Sequence, residues 1–263
     1  MAVRDSYPYG QFCWVDLVSR DMAEAREFYR RLFRWQSIDR DTQGGPPYAH
    51  FELEGMSVAG LGQMNQEMLD KKFPATWNSY IHVDDIQAVC AKVTQLGGTI
   101  TAPVRKVLDA GSLAFIRDPT GAQVGLWQKD QHFGATLHQD FHCFCWNELC
   151  TRDIDRAADF FGQLFDWEFS EYPSLLGKYY VVRNCGEECS GLLQIDQRWG
   201  EMPPCWLVYF AVQSVDITVD QVRQLGGYVL VHPFDIQEGR LAVVADGQGA
   251  MFDLVQMKDE PGK

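Results

Sequence analysis

Apolar positions along the chain change period in a fixed order. Between residues 12 and 18 they alternate with polar ones, which predicts a strand carrying Trp14, Asp16 and Val18 on one face. Asp21, with Glu24 three positions on, then reads as a helix N-cap in a capping box. Met22, Ala25, Phe28, Tyr29, Leu32 and Phe33 follow at helical spacing, a stripe that belongs in a core. Strands are predicted over 48–53 and 56–64, and a segment containing Pro74 separates them from a second round. That round has a strand over 77–83 and a helix stripe of Ile86, Val89, Val93 and Leu96, stopped by Gly97-Gly98. Strands over 114–117 and 123–128 flank the turn Asp118-Pro119-Thr120-Gly121.

After about 130 residues, far too long a period for a solenoid unit, everything restarts. Cys13-Trp14-Val15-Asp16-Leu17 returns as Cys145-Trp146-Asn147-Glu148-Leu149, and Leu32-Phe33-Arg34-Trp35 returns as Leu164-Phe165-Asp166-Trp167. Gly60-Leu61 with Gln63, Leu96-Gly97-Gly98 and Asp118 with Gly121 recur as Gly191-Leu192 with Gln194, Leu225-Gly226-Gly227 and Asp246 with Gly249. The second helix stripe is Ile154, Ala157, Phe160, Phe161, Leu164 and Phe165. The chain therefore divides into two domains, 1–130 and 139–263, joined by a linker over 131–138. Each domain is a pair of β-α-β-β-β units. Strands outnumber helices without alternating one for one, so the fold class is α+β, with helices outside curved mixed sheets. A cleft where two copies meet is a natural place for a ligand.

The formal net charge of -13 argues against a nucleic-acid partner. No apolar run reaches membrane-spanning length, and Met1-Ala2-Val3-Arg4-Asp5 leads into no export signal, so a cytoplasmic protein is expected. The eight cysteines read as small buried hydrophobes rather than a disulfide framework; Cys185 and Cys189 have the spacing of half a zinc site without a second half.

Asp21 through Phe28-Tyr29 to Leu32-Phe33 and Trp35, Val83-Asp84 through Leu96-Gly97-Gly98, and Asp118-Pro119 with Gly121 resemble the vicinal oxygen chelate superfamily. Glyoxalase I, bleomycin-resistance proteins and extradiol dioxygenases belong to it, and the likeness is greatest to its two-domain, glyoxalase-like bacterial branch. The resemblance implies two half-open barrels, each around a cavity. In the enzymes that cavity holds a divalent metal, a Lewis acid for vicinal oxygens. Carried over position by position, the implied ligand sites fall on Trp14 and Trp146, on Asn78 and Leu207, and on Gly125 and Asp253. A fourth lies near Ala59 to Gln63 or Ser190 to Gln194, where Gln63 and Gln194 are candidates. Indole offers no lone pair to a metal and Leu none at all, so Asp253 stands as a lone carboxylate and no metal is expected.

What replaces the ligands is aromatic. Trp14 and Trp146 share strand faces with Asp16 and Glu148, Tyr80 and His82 with Asn78, and Tyr209 with Leu207; together with the carboxylates, Asp253 among them, they form a set suited to a flat or cationic organic molecule. The same tryptophans also fit as plugs of a small barrel, Asp16 and Glu148 as structural groups, and His82 as a core histidine. His50, His132, His138, His142 and His232 are scattered and receive no role. The leading expectation is a metal-free binding protein. The alternatives are a glyoxalase-type lyase or extradiol-type dioxygenase with relocated metal ligands, or a metal-free enzyme using Asp16, Glu148 or His82 as general base. A role in assembly, with the chain a monomer or a homodimer, is the remaining option.

Overall fold

A computed structural model of the chain describes residues 3–258, so the extreme ends of the two expected domains, residues 1–2 and 259–263, lie outside it. In the first copy β1 (Phe12–Ser19), α1 (Met22–Phe33), β2 (Gln36–Arg40), β3 (Tyr48–Leu53) and β4 (Met56–Gln63) form one unit. After a short α2 (Gln66–Asp70), the second unit is β5 (Thr76–His82), α3 (Ile86–Gln95), β6 (Thr99–Val107), β7 (Gly111–Arg117) and β8 (Gln123–Lys129). The second copy repeats this as β9 (Phe144–Thr151), α4 (Ile154–Phe165), β10 (Glu168–Tyr172), β11 (Tyr179–Asn184) and β12 (Glu187–Gln194). Its second unit is β13 (Cys205–Ala211), α5 (Val215–Gln224), β14 (Tyr228–Asp235), β15 (Gly239–Ala245) and β16 (Met251–Met257).

The helices form where the periodicity places them. Asp21 caps α1 by accepting from the Ala23 and Glu24 amides, and the buried residues of α1 and α4 are the two predicted stripes. Gly97, at φ 86°, ends α3, and the Gly98 amide reaches back to the Val93 carbonyl at 2.9 Å. Each copy makes one eight-stranded mixed sheet, ordered β2-β3-β4-β1-β5-β8-β7-β6 and β10-β11-β12-β9-β13-β16-β15-β14. The sheets curl without closing into barrels. The central pair β1 and β5 runs antiparallel, while β1 with β4 and β5 with β8 are parallel.

The seam between the copies is not the expected ligand cleft. The sheets dock by their convex, helix-covered sides. Trp35, Trp77 and Phe33 of one copy interlock with Phe210 and Phe252 of the other, with Trp77 and Phe210 rings 5.1 Å apart. The docking is reciprocal: the Trp35 indole donates to the His142 carbonyl at 2.8 Å and the Trp167 indole to the Gly10 carbonyl at 2.9 Å. Trp77 donates to the Tyr29 hydroxyl at 3.0 Å, and that hydroxyl donates to Asp246 across the seam at 3.1 Å. Gln248 enters the start of α1, accepting from Ser19 Oγ and the Arg20 and Asp21 amides and donating to the Asp21 carbonyl. The expected linker is pinned as well, since the Ala135 amide bonds the Cys13 carbonyl and the Thr136 amide the Ser57 carbonyl. Among the described residues no helix is long and apolar enough to cross a membrane, and every described cysteine is free.

Gln248→Ala removes the acceptor of the Arg20 amide, one of two acceptors of the Asp21 amide, and the buried partner of Ser19 Oγ at the seam. It should lower stability by about 2–3 kcal/mol, read by urea unfolding as one cooperative transition with an unchanged slope. An unchanged midpoint would show that the bonds contribute nothing.

Candidate functional site

Each concave face carries side chains from the same four strands, so the two copies can be compared directly. In the first, β1 presents Trp14 and Asp16, and β5 presents Asn78 and Tyr80 opposite them. Asp16 is buried but fully partnered. It accepts from Asn78 Nδ2 at 3.0 Å, Tyr80 OH at 3.0 Å and Tyr48 OH at 3.3 Å. Burial raises its pKa; those three donors and the Arg105 charge pull it back. Tyr48 also accepts the Trp14 indole N–H at 3.1 Å, and a β-carbon at Gly60 would collide with that hydroxyl. Trp14 is covered edge-on by His132, 4.5 Å between ring centroids, and by His50 at 5.2 Å. Burial pushes His50 down to about 3 and His132 down to about 4, so both rings are neutral packing groups. The Tyr80 ring lies across Gly125. On this face the side chains of Trp14, Asp16, Tyr48 and Tyr80 bond to one another.

The second copy keeps the scaffold and changes the contents. Trp146 donates to Tyr179 at 3.2 Å, as Trp14 does to Tyr48, and Gly191 again clears the hydroxyl. Leu207 stands opposite Glu148 where Asn78 stands opposite Asp16, so the amide donor is gone. Asp253 pairs with Tyr209 where Gly125 pairs with Tyr80, so a second carboxylate is added. A cavity of about 440 Å³ results. Leu176, Leu193, Leu241, Val243 and Phe234 wall it, Trp199 and Tyr209 add ring faces, His232 stands at its exposed strand, and Glu148 and Asp253 line it from within.

Both carboxylates are buried, Glu148 at 6% and Asp253 at 1% exposure. Burial pushes Glu148 up to about 7, with the Tyr209 and Tyr179 hydroxyls pulling the other way. Asp253 is raised well above the ordinary carboxylate range by burial and by the Glu148 charge, and neither of its oxygens meets a donor among the described residues.

The residues anticipated for binding therefore separate. Glu148, Tyr209 and Asp253 meet at the cavity of the second copy, with Trp146 behind them through Tyr179. Trp14, Asp16 and Tyr80 form the closed cluster of the first. His82 joins neither; its amide bonds the Gln11 carbonyl, its carbonyl takes the Gly10 amide, and its ring faces Pro8, Asp84 and Lys129. Tyr48, Tyr179, His50, His132 and the apolar walls were not anticipated. The paired tyrosines, one per copy at the start of β3 and β11, were the signal available.

The donor set does not suit a transition metal. Trp146, Leu207 and Gly191 offer nothing to coordinate one. Gln63 and Gln194 are spent on backbone at the turns after β1 and β9. Two neighbouring carboxylates remain, and among the described residues no three His, Cys, Asp or Glu side chains are arranged to hold a metal ion.

Paired β-α-β-β-β units curled around a concave site define a class, and the sequence agrees: the chain belongs to the Glyoxalase/Bleomycin resistance protein/Dioxygenase superfamily, whose profile matches residues 11–126 and again 141–254. Mycobacterium tuberculosis CFP32, which carries the name glyoxylase, is 38% identical over 97% of this chain and 98% of its own. The anthracycline biosynthesis protein DnrV of Streptomyces peucetius is 30% identical over 95% of this chain and 94% of its own. The Mn(II)-bound glyoxalase of Novosphingobium aromaticivorans shares the fold at a TM-score of 0.65 and 14% identity, covering 96% of this chain and 84% of its own.

The two copies should respond oppositely to loss of their carboxylates. Folded Glu148 holds its proton up to about 7, whereas the unfolded chain releases it near 4.5. Its contribution to stability is therefore greatest below the lower value and declines as pH rises through that window, by about 3 kcal/mol in all. Glu148→Gln should remove this slope and leave the protein more stable than its parent at about pH 8 but not at about pH 4. Asp16→Ala should instead cost about 2–3 kcal/mol at either pH, by stranding Asn78, Tyr80 and Tyr48. Denaturant midpoints of both variants across pH read this out, and parallel pH profiles for Glu148→Gln and its parent would refute it.

Proposed function

We propose that this protein binds a small, largely apolar organic molecule in the concave pocket of its second domain, and does so without a metal. One observation carries the reading. The second copy opens a cavity of about 440 Å³, within the size range of drug-sized ligand sites, whereas in the first Trp14 packs against His50 and His132 and Tyr80 bonds to Asp16. Its walls are aliphatic and aromatic, which suits a flat ring system, and its few polar groups are of the kind that fix orientation. A relative whose name places it in anthracycline biosynthesis, the making of fused-ring aromatic molecules, is in keeping with such a ligand.

A second reading has its own observation. Of the three candidate bases, Glu148 alone lines the cavity, and a carboxyl at about 7 is poised to exchange protons at neutral pH. On that reading the pocket is also catalytic, with Glu148 touching the substrate and Asp253 as the neighbouring carboxyl. Asp16, with both oxygens already accepting from Asn78, Tyr80 and Tyr48, is reserved for structure.

Binding is tested by the fluorescence of Trp199, which lines the cavity, titrated with naphthalene- and anthraquinone-sized compounds. Saturable binding should survive exhaustive chelation. Leu207→Trp, which fills the pocket, should weaken it at least about ten-fold, while Tyr80→Phe in the first copy should leave it unchanged. Binding that requires a stoichiometric transition ion, or that ignores Leu207→Trp, would overturn the proposal.

A further inference from the structure

The two copies also differ in a cation. In the first, Arg105 on β6 stands opposite Leu113 of β7, and its charge acts on Asp16. The matching position of the second copy is Phe234 on β14, opposite Leu241 of β15. The copy with one carboxylate thus has an arginine nearby and three neutral donors on that carboxylate. The copy with two has a phenyl ring and an aliphatic side chain, Leu207, at the corresponding places. Two buried carboxyls with no compensating cation are unfavourable in the empty protein, costing on the order of several-fold what a partnered carboxylate costs.

From this asymmetry we propose that the ligand brings the missing cation: the second-domain cavity is a site for an organic ammonium, a protonated primary or secondary amine on a flat apolar body, with its nitrogen seated between Glu148 and Asp253. The inference rests on the binding reading above and specifies the ligand's polar group. An ammonium supplies two or three N–H donors, enough for at least one to each of Asp253 and Glu148, and charge-assisted bonds of this kind are the strong ones. Trp199, Tyr209 and Phe234 then face the apolar body and the cationic edge.

The other ionisable groups around the pair add no positive charge from within. Cys150 of β9 and Cys205 of β13 are thiols pushed up by burial, and the Tyr179 and Tyr209 hydroxyls of β11 and β13 are raised in the same way. Glu238, after β14, acts on Tyr179 as a further negative charge. His232 of β14 contacts Arg223 through Nδ1 at 3.3 Å on an exposed surface. Burial holds both carboxyls above the ordinary carboxylate range, Glu148 at about 7, so the empty site retains a proton near neutral pH. When an ammonium binds, both carboxyls ionise and that proton passes to solvent, so atoms and charge balance without a co-reactant.

The test compares 1-naphthylmethylamine with 1-naphthalenemethanol, alike in shape and different in charge. Isothermal titration of the full chain at neutral pH, in two buffers of different ionisation enthalpy, reads affinity and proton release together. The amine should bind about ten-fold or more tightly than the alcohol and release protons, while the alcohol releases none. In Asp253→Asn and Glu148→Gln, checked for folding by thermal melting, the amine's advantage should disappear with alcohol binding retained. Equal binding of both compounds, or an amine preference that survives both substitutions, overturns the amine inference while leaving the binding proposal in place. Failure of both compounds and of the wider aromatic panel overturns the two together.

Discussion

The structure depends on one reciprocal constraint: each copy's first helix and the tryptophan that follows it are buried against the other copy. Neither convex face is polar enough to stand in water, since α1 and α4 both carry three aromatic side chains among their buried residues. The equivalent indoles of Trp35 and Trp167 each find their hydrogen-bond acceptor in the opposite domain, at equivalent places before β9 and β1. A buried indole N–H needs such a partner. The domains therefore complete one another, and the repeated Leu-Phe-x-Trp motif marks a mutual dock as much as a helix end. Because the convex faces are consumed by each other, only the outward-facing concave surfaces are left for a ligand.

Those concave surfaces show what duplication permits. One copy satisfies its buried carboxylate completely and closes over it; the other withdraws a donor, adds a second carboxylate and opens. An unpaired buried carboxylate costs on the order of 3–5 kcal/mol. A lone half-sized domain would lose much of its stability to such a site, since small domains have only a few kcal/mol in hand. The aromatic seam and the filled first copy provide the surplus against which the second can hold an unfavourable site. Functional sites commonly depart from local optimality in this way.

Legibility in the sequence followed signal strength. Helices with strong stripes were readable residue by residue, as Met22 to Phe33 and Ile154 to Phe165 show. Strand β2 was not, because Gln36–Arg40 is almost wholly exposed and lacks apolar alternation. β6, β10 and β14 are exposed for the most part too, and they are held by pairing with a neighbour rather than by their own burial. Strand parity put Trp14 with Asp16 and Tyr80 with Asn78, as β1 and β5 carry them, yet the same parity failed for His82. The end of β5 turns away from the cavity and pairs with residues 10–11, which no alternation rule foresees. Whether a concave face is open or closed was illegible for a similar reason. It turns on pairs such as Asn78 against Leu207 and Arg105 against Phe234, on strands distant in sequence from the one that carries the carboxylate.

The internal repeat nevertheless makes each copy a control for the other. A carboxylate recurring at one position of both copies, Asp16 and Glu148, can be structural in both, functional in both, or divided. Its surroundings differ between the copies. Where Asn78, Tyr48 and Tyr80 occupy the oxygens, nothing remains for a ligand to do. Where Leu207 replaces the amide and Asp253 stands with both oxygens unpartnered, the polar demand of the site is unmet by the protein itself. Burial makes that demand strong, because no water-like medium surrounds the charge to screen it.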